Sequence, residues 1–491
     1  MKKIVLSATL AFGFAMCGMA QNNVGNIDQN GSENFAKVEQ KGLNNKAFGK
    51  QDNSTGSTMT VKQNGSANVA GRKGHELLQT GLNNNMSVNQ EGDNNTTFAS
   101  QDGENNNMSV NQTGNNNVAG SDKRELSQVG KDNNMTITQN TDNNKALATQ
   151  KGDRNSTTIT QEGGNGNQAF AATEGNDNSL SIAQNGASNK FGTNKDAALQ
   201  KGNNNSASVA QNGNRNTGNL SQVGDDNKAY ITSQGDDNNF EVSQDGTNNT
   251  VNSWPTFNVE GQIGNNNSAK IAQVGENNKV NMQQKGNNNS ANISQDGPGN
   301  WTHLRQVGNN NEMVSKQMGA GNNQLQVHEV GDDNKANITQ DGSRNYTYMR
   351  QGTYNGGKSN NAKTTVSQLG NDNQLSVQVE GNNNTANISQ TGNHNVAYDV
   401  DHYNVKGRDG VYELGVVQKG DNNLANLTQN GDENKAGIRQ LGDDMKANIN
   451  QNSGDAAVGN NFGHVTQEGN AHQADINQNG TMNEAVIYQS N

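Results

Sequence analysis

Residues 429–440 read Gln429-Asn-Gly431-Asp-Glu-Asn434-Lys-Ala436-Gly-Ile438-Arg-Gln440, and this stretch decides the fold. It is one copy of an eleven-residue unit, Gln-x-Gly-x-x-Asn-x5, closed by the Gln that opens the next copy. The unit starts as soon as the apolar leader ends, with Gln29, Gly31 and Asn34, and continues at Gln40 and Gln51. It returns at Gln79, Gln90, Gln101 and Gln112 and runs unbroken from Gln262 through Gln273, Gln284, Gln295 and Gln306 to Gln317. Gln467, Gln478 and Gln489 close the chain in the same phase. Roughly three dozen units cover nearly everything after residue 20, and repetition on that scale is the signature of a solenoid.

The five spacer residues carry a second period. The second and fourth residues after each Asn are apolar: Ala36 and Val38, Ala269 and Ile271, Ala386 and Ile388, Ala474 and Ile476. Alternation of period two is a strand with one face buried, and the same step turns the next Gln inward. Gly two residues after Gln supplies positive φ, and Asn tolerates it and bonds its own backbone, so Gln-x-Gly-x-x-Asn reads as a tight turn. Each unit is then one strand and one turn. Two units close a coil of about 22 residues, and stacked coils give an all-β solenoid of two facing parallel sheets. Gln stacks on Gln and Asn on Asn at about 4.8 Å. A single arm buries too little apolar surface to offset the entropy of ordering it, so stability is cooperative along the stack.

Bulk composition alone points to disorder. Only 28% of residues are apolar and 4% aromatic, with 58 Gly and 2 Pro; it is the periodicity that argues for order. The net charge is −11, falling to −13 once Lys2 and Lys3 leave with the leader. An acidic chain with few aromatics is a poor nucleic-acid binder. Lys2-Lys3, the apolar run Ile4 to Phe14 and the small-x-small triplet Gly18-Met19-Ala20 read as a signal peptide over 1–20, too short to span a membrane. Cys17 is the single cysteine; cleavage after Ala20 removes it, and the alternative is a lipid-attachment site.

Residues 21–491 are expected to form one solenoid with insertions near 69–78, 118–127, 190–199, 250–261, 353–367, 396–417 and 457–466, each read as a loop bulging from the solenoid edge between Asn and the next Gln. Trp254, Tyr398, Tyr403 and Tyr412 fall in the insertions and are the candidate loop contacts. Chemistry has little support. Gly352, Gly357, Lys358 and Ser359 fit Gly-x4-Gly-Lys-Ser, but no helix is expected after them, as a phosphate loop requires. His402 near Asp399 and Asp401 reads as a solvated loop, and acidic turns such as 224–227 and 331–334 as hydrated turns. No catalytic residue, metal site or cofactor is expected. Neither end shows a polar cap, and open strand edges are templates for growth.

Gln-x-Gly-x-x-Asn-x-Ala-x-Ile/Val-x-Gln resembles the curlin repeat of bacterial curli subunits. Gln429, Gly431, Asn434, Ala436, Ile438 and Gln440 show it whole, and the resemblance spans nearly all of the chain after residue 20. The chain departs from that pattern in its many coils, in Asn at most turns and in lacking a visible spacer after the leader. The resemblance implies a curlin-type solenoid exported to the cell surface as an extracellular functional amyloid, a fimbrium- or pilus-like fibre used in adhesion and biofilm matrix. Its working residues are then the ladders: Gln29, Gly31, Asn34 and Gln40; Gln273, Gly275, Asn278 and Gln284; Gln429, Gly431, Asn434 and Gln440. Expected partners are further copies of the chain, host or abiotic surfaces, and export or nucleation machinery, with no nucleic acid and no membrane insertion. The alternative is a non-polymerising surface adhesin that binds through its insertion loops.

Overall fold

The computed structural model describes residues 22–193, 197–252, 261–352, 357–397, 415–453 and 461–491. The chain divides into two compact units, Met1–Val242 and Ser243–Asn491. Among the described residues every regular element is a β-strand, and each unit is a β-solenoid of two parallel sheets. In the first unit one sheet opens with Val24–Ser32 and Lys46–Thr55, the other with Phe35–Lys41, Thr58–Asn64 and Asn85–Glu91. Pairing is parallel and residue-for-residue: Ala36 lies on Met59, Val38 on Val61 and Gln40 on Gln63. In the second unit Ser268–Glu276 pairs with Ser290–Asp296, Ala269 on Ala291 and Ile271 on Ile293, while Lys279–Lys285, Trp301–Val307, Gln324–Val330 and Tyr346–Gln351 build the facing sheet.

Three residues per arm point inward: the two apolar spacer positions and the Gln. Met59, Met86, Met108 and Met135 stack as one fully buried column in the first unit. The core stays thin because bulk in one place is matched by its absence in another. A Cβ on Gly49 would stand 2.5 Å from Met59 Sδ, and one on Gly218 2.9 Å from the Phe191 ring.

Turn geometry refines the expectation. Positive φ falls on the motif Gly and on the residue before the motif Asn, as at Asn44 (58°), Arg154 (55°) and Asp177 (59°). The Asn itself stays outside that region and works through its side chain. The motif Gly is held by close stacking as well as by φ: Gly42 sits at +105°, and a Cβ there would lie 2.0 Å from the carbonyl oxygen of Gly65 in the next coil.

The interruptions fall differently from the sequence reading. At 69–78 and 118–127 the chain leaves mid-strand, from the broad outer face and not from the turn edge. Ala70 and Leu77, and Ala119 and Leu126, still fill the two inward positions, so only the outward residue between them is replaced by a loop. Exit needs Gly: Gly71 and Gly120 have φ of 68° and 70° and a Cβ on either would meet a phenylalanine carbonyl at 2.5 Å. Small antiparallel bridges, Arg72 with His75 and Ser121 with Arg124, close the loops. Arg72 pairs with Asp122 at 2.7 Å, and Phe98, in the coil between the two loops, is only 7% exposed although it points outward. At 190–199, Phe191 and Ala198 keep the inward positions around a loop that leaves at Gly192.

Two interruptions move. Lys363–Asn371 is an ordinary strand in register with Lys335–Ser343, so the interruption expected over 353–367 ends before Ser359 and lies between Gln351 and its turn. Phe462–Glu468 is likewise regular, and Asn461 takes the motif Asn place, so the extra residues expected over 457–466 precede it. In both places the added length falls between the inward Gln and the next rung, Gln351 to Ala362 and Gln451 to Asn461, and turns tolerate such changes better than strands. For 250–261 and 396–417, Thr250–Val251 and Val396–Ala397 begin a strand that Gly261–Ile263 and Gly415–Lys419 complete.

Candidate functional site

The inward Gln rungs form directed chains of amide hydrogen bonds. In the first unit Gln29 Nε2 donates to Gln51 Oε1 at 2.6 Å, Gln51 to Gln79 at 2.9 Å and Gln79 to Gln101 at 3.0 Å. The facing chain starts at Gln40, which donates to Gln63 at 2.8 Å. In the second unit Gln273 donates to Gln295 at 2.9 Å, Gln284 to Gln306 at 2.9 Å, Gln429 to Gln451 at 3.1 Å and Gln440 to Gln467 at 3.0 Å. The donor always points to the next coil toward the C-terminus. The second amide hydrogen reaches across the core to a backbone carbonyl, as from Gln284 to Ser268 at 3.1 Å and from Gln440 to Leu424 at 3.1 Å. An amide offers two donors and one carbonyl acceptor, and this arrangement uses all of them away from water.

The Asn rungs stitch the turns. Asn34 donates to the Ser54 carbonyl at 2.7 Å and accepts from the Ser57 amide at 3.1 Å. Asn278 accepts from the Asn300 amide at 2.9 Å. Asn434 Nδ2 donates to Asn395 Oδ1 at 3.0 Å. Gly31 sits at φ +141° with a Cβ position 1.8 Å from the Ser54 carbonyl oxygen, and Gly275 and Gly431 share the positive φ. All twelve ladder residues therefore stand in the two ladders and their turns. Trp254, Tyr398, Tyr403 and Tyr412 lie outside the described residues, as do Asp399, Asp401 and His402. Ser359 and Asn360 form a short strand beside Gly381 and Asn382, which places the Gly-Lys-Ser stretch in solenoid register and not at the head of a helix.

The Gln chains break where another residue takes the rung. Gln150 lies on Thr173, Gln211 on Ser233, Gln306 on Glu329 and Gln351 on Val379. Three rungs that follow a residue with no amide donor are left with a bare acceptor: Gln200 Oε1 follows Thr173, Gln351 Oε1 follows Glu329 and Gln418 Oε1 follows Val379, and all three are buried without a partner. Glu329 is fully buried; Gln306 Nε2 donates to its Oε2 at 2.7 Å, and its Oε1 has no partner. Burial pushes this carboxyl up to about 8, with the bond from Gln306 opposing and Glu312 adding to the rise.

The outer face of the second unit carries a strip that sequence reasoning missed. Trp301 stacks on His303 with centroids 6.1 Å apart and ring planes 13° from parallel. His303 meets His328 edge-on at 5.5 Å, and His328 meets Tyr348 at 6.2 Å. Arg305 Nε donates to Gln283 Oε1 at 2.8 Å along the same face. Burial, with His303 and the guanidinium groups of Arg305 and Arg350 nearby, lowers His328 to about 4. A groove of about 670 Å³ beside Trp301 is lined by Lys279, Asn281 and Gln324. Another of about 540 Å³ beside Tyr346 is lined by Gln324, Arg344 and Gln374. In register His303 lies on Gln326, which lies on Tyr348, and Arg305 lies on His328, which lies on Arg350, so the ring contacts run along one strand and diagonally between neighbouring ones; rings and guanidinium groups recurring at outward positions of successive coils were the available signal.

Taken together, these features define a parallel β-solenoid held by amide ladders, with no grouping of three or more metal-binding side chains among the described residues. Five segments, residues 126–163, 213–246, 286–314, 331–378 and 420–452, match the family described as the curlin associated repeat. These segments are curlin associated repeats, a structural unit, spread across both compact units of the chain. A search of curated proteins finds no match to the chain.

Proposed function

We propose that the chain is the structural subunit of an extracellular curli-like amyloid fibre acting in adhesion and biofilm matrix, and that the fibre grows by stacking the C-terminal edge of one copy on the N-terminal edge of the next. The directed Gln ladder carries this reading. The first rungs, Gln29 and Gln40, turn acceptor oxygens toward the N-terminal edge, and the last rungs, Gln478 and Gln489, end chains whose donors run the other way. Among the described residues the edge strands Val24–Ser32 and Glu484–Ser490 each pair on one side only. Donor edge meets acceptor edge in the register already used inside each unit, and exposed parallel edges are templates for further strands. In this reading the leader over 1–20 directs export, and the ladders are the working residues. The mature chain diluted from denaturant should give fibres by electron microscopy, bind amyloid dyes and diffract meridionally near about 4.7 Å. A chain that stays monomeric under those conditions sinks the proposal.

The second reading, a surface adhesin that does not polymerise, is favoured by the outward strip from Trp301 to Tyr348, where aromatic rings and cations collect on an otherwise amide-rich surface. It predicts adhesion by monomers, abolished either by substitutions in that strip or by deletion of 396–417.

A further inference from the structure

We propose that Glu329 is held as the neutral acid, that its Oε1–H donates to Gln351 Oε1 to make the ladder continuous, and that folding of these coils therefore takes up one proton. The argument is a count of donors and acceptors. In intact stretches every rung accepts on Oε1 from the Nε2 of the rung before it, as Gln306 does from Gln284 at 2.9 Å. Glu329 sits on Gln351 in parallel register and occupies the place of that donor. As a carboxylate it has nothing to donate, and two buried oxygens on adjacent rungs, Glu329 Oε1 and Gln351 Oε1, are both left without a partner. One hydrogen between them satisfies both, because a protonated carboxyl has one O–H donor. The rungs after Thr173 and Val379 show the contrast: there the stranded oxygen faces a side chain with no acidic proton to gain.

The surroundings oppose a charge. Gln306 and Gln351 on either side are neutral. From the facing sheet the nearest ionisable groups are Glu312 and Lys335, which are paired with each other at 3.0 Å. Asp332 and Asp333 lie in the turn that follows. Arg305, His328 and Arg350 are on the outer face of the same sheet, away from the rung. Among the described residues no cation is therefore set against the carboxyl inside the core, and burial raises its pKa to about 8 from the ordinary 4.5. With the folded value above the unfolded one, no stability is lost below about 4.5, where both states are protonated. As pH rises from there the unfolded chain ionises first and the fold weakens, until the folded group ionises too near 8. Across that window the folded-to-unfolded ratio of these coils falls up to about tenfold per pH unit.

The test compares the mature chain with Glu329→Gln, which restores the side chain found at neighbouring rungs. Denaturant midpoints for both proteins, taken at intervals from about pH 5 to about pH 8, should diverge by one proton's worth of linkage, about tenfold per unit, with the variant gaining on the wild type as pH rises. Independently, wild-type protein with ¹³C-labelled glutamate carboxyls should show one protonated carboxyl at neutral pH, in soluble or fibrous form alike, and Glu329→Gln should lack it. Parallel pH profiles overturn the proposal. So does the absence of a protonated carboxyl in the wild type, a measurement that stands even if the variant fails to fold. Neither measurement depends on whether the chain polymerises.

Discussion

Gln112 is the place to measure what a rung is worth. Its Oε1 accepts from Gln90 Nε2 at 2.9 Å and from Thr97 Oγ1 at 3.0 Å; its Nε2 donates to Gln139 Oε1 at 2.9 Å and to the Thr96 carbonyl at 3.1 Å. Gln112→Ala removes all four bonds. Gln90 Nε2 keeps the Val69 carbonyl at 3.1 Å and Thr97 Oγ1 at 3.3 Å, so the rung before is only weakened. The rung after is not so protected, because Gln139 Oε1, fully buried, loses its donor. An orphaned buried acceptor costs about 1–3 kcal/mol and each net bond about 1 kcal/mol, and the emptied space adds a cavity term. The expected loss is about 4 kcal/mol. Gln112→Leu strands the same acceptor but fills the space, so the difference between the two variants isolates the cavity. Asn111→Ala, on the outward face, where the side chain accepts from Asn89 at 2.8 Å, should cost about 0.5–1 kcal/mol. Hydrogen exchange at the amides of Asn107–Thr113 and their stacking partners reads this locally, which suits a solenoid whose unfolding is not all-or-none. If exchange in Gln112→Ala rises no more than in Asn111→Ala, the ladder is not what holds the coils.

Gly42→Ala should destabilise its coil by about 2–3 kcal/mol, since it combines φ of +105° with a Cβ 2.0 Å from a carbonyl oxygen; Gly74→Ala, also at positive φ but with open space around it, should cost about 1 kcal/mol, as strain alone does. Thr173→Gln should raise stability by about 1–2 kcal/mol by giving Gln200 Oε1 the donor it lacks, and a lower denaturant midpoint would count against directed ladders. His328 is lowered to about 4 in the fold against an ordinary 6.5, so its share of stability is whole above about 6.5 and drains as pH falls toward 4. His328→Gln should flatten that acid limb in a denaturation series and leave the alkaline limb to Glu329. Trp301→Ala should leave the circular dichroism spectrum and fibre formation unchanged while lowering retention on adhesive surfaces, and equal retention would remove the strip from the adhesin reading.

The sequence exposed whatever repeats with period eleven and little else. Gln, Gly, Asn and the two apolar positions were legible because each must recur to stack on itself, and their phase alone implies parallel in-register sheets. Phe98 was not legible as a buried residue: it points outward by phase, yet it is buried in the coil between two loops that pair with each other through Arg72 and Asp122. Glu329 escaped because the turn Met318-Gly-Ala-Gly-Asn322 is one residue longer than the motif, with a register shift at Met318/Gly321, so counting elevens from Gln317 lands on His328. The displaced boundaries at 353–367 and 457–466 have a related cause. In a chain this rich in Asn, spacing alone does not say which Asn is the rung, whereas the hydrogen bond from Asn461 Nδ2 to Asn434 Oδ1 at 3.1 Å does.

The substitutions the ladders already carry show why such a chain has room for function. Thr173, Ser233, Glu329 and Val379 replace Gln; Ser57, Ala362, Met445 and His472 stand where Asn belongs. None shifts the strand pairing at its own rung. The reason is redundancy within each rung. Gln150, whose next neighbour is Thr173, still donates across the core to the Asn134 carbonyl at 2.9 Å and to Thr157 at 3.1 Å. Gln351, between Glu329 and Val379, still donates to the Lys335 carbonyl and to Thr364. A broken rung thus costs its own bonds and one stranded acceptor, and the backbone ladder on either side carries the stack past it. Damage is local while register is collective, so single rungs can be exchanged for side chains with other chemistry without loss of the fold. A buried acid at one rung is the change this arrangement tolerates best, because a single proton repairs the amide chain it interrupts.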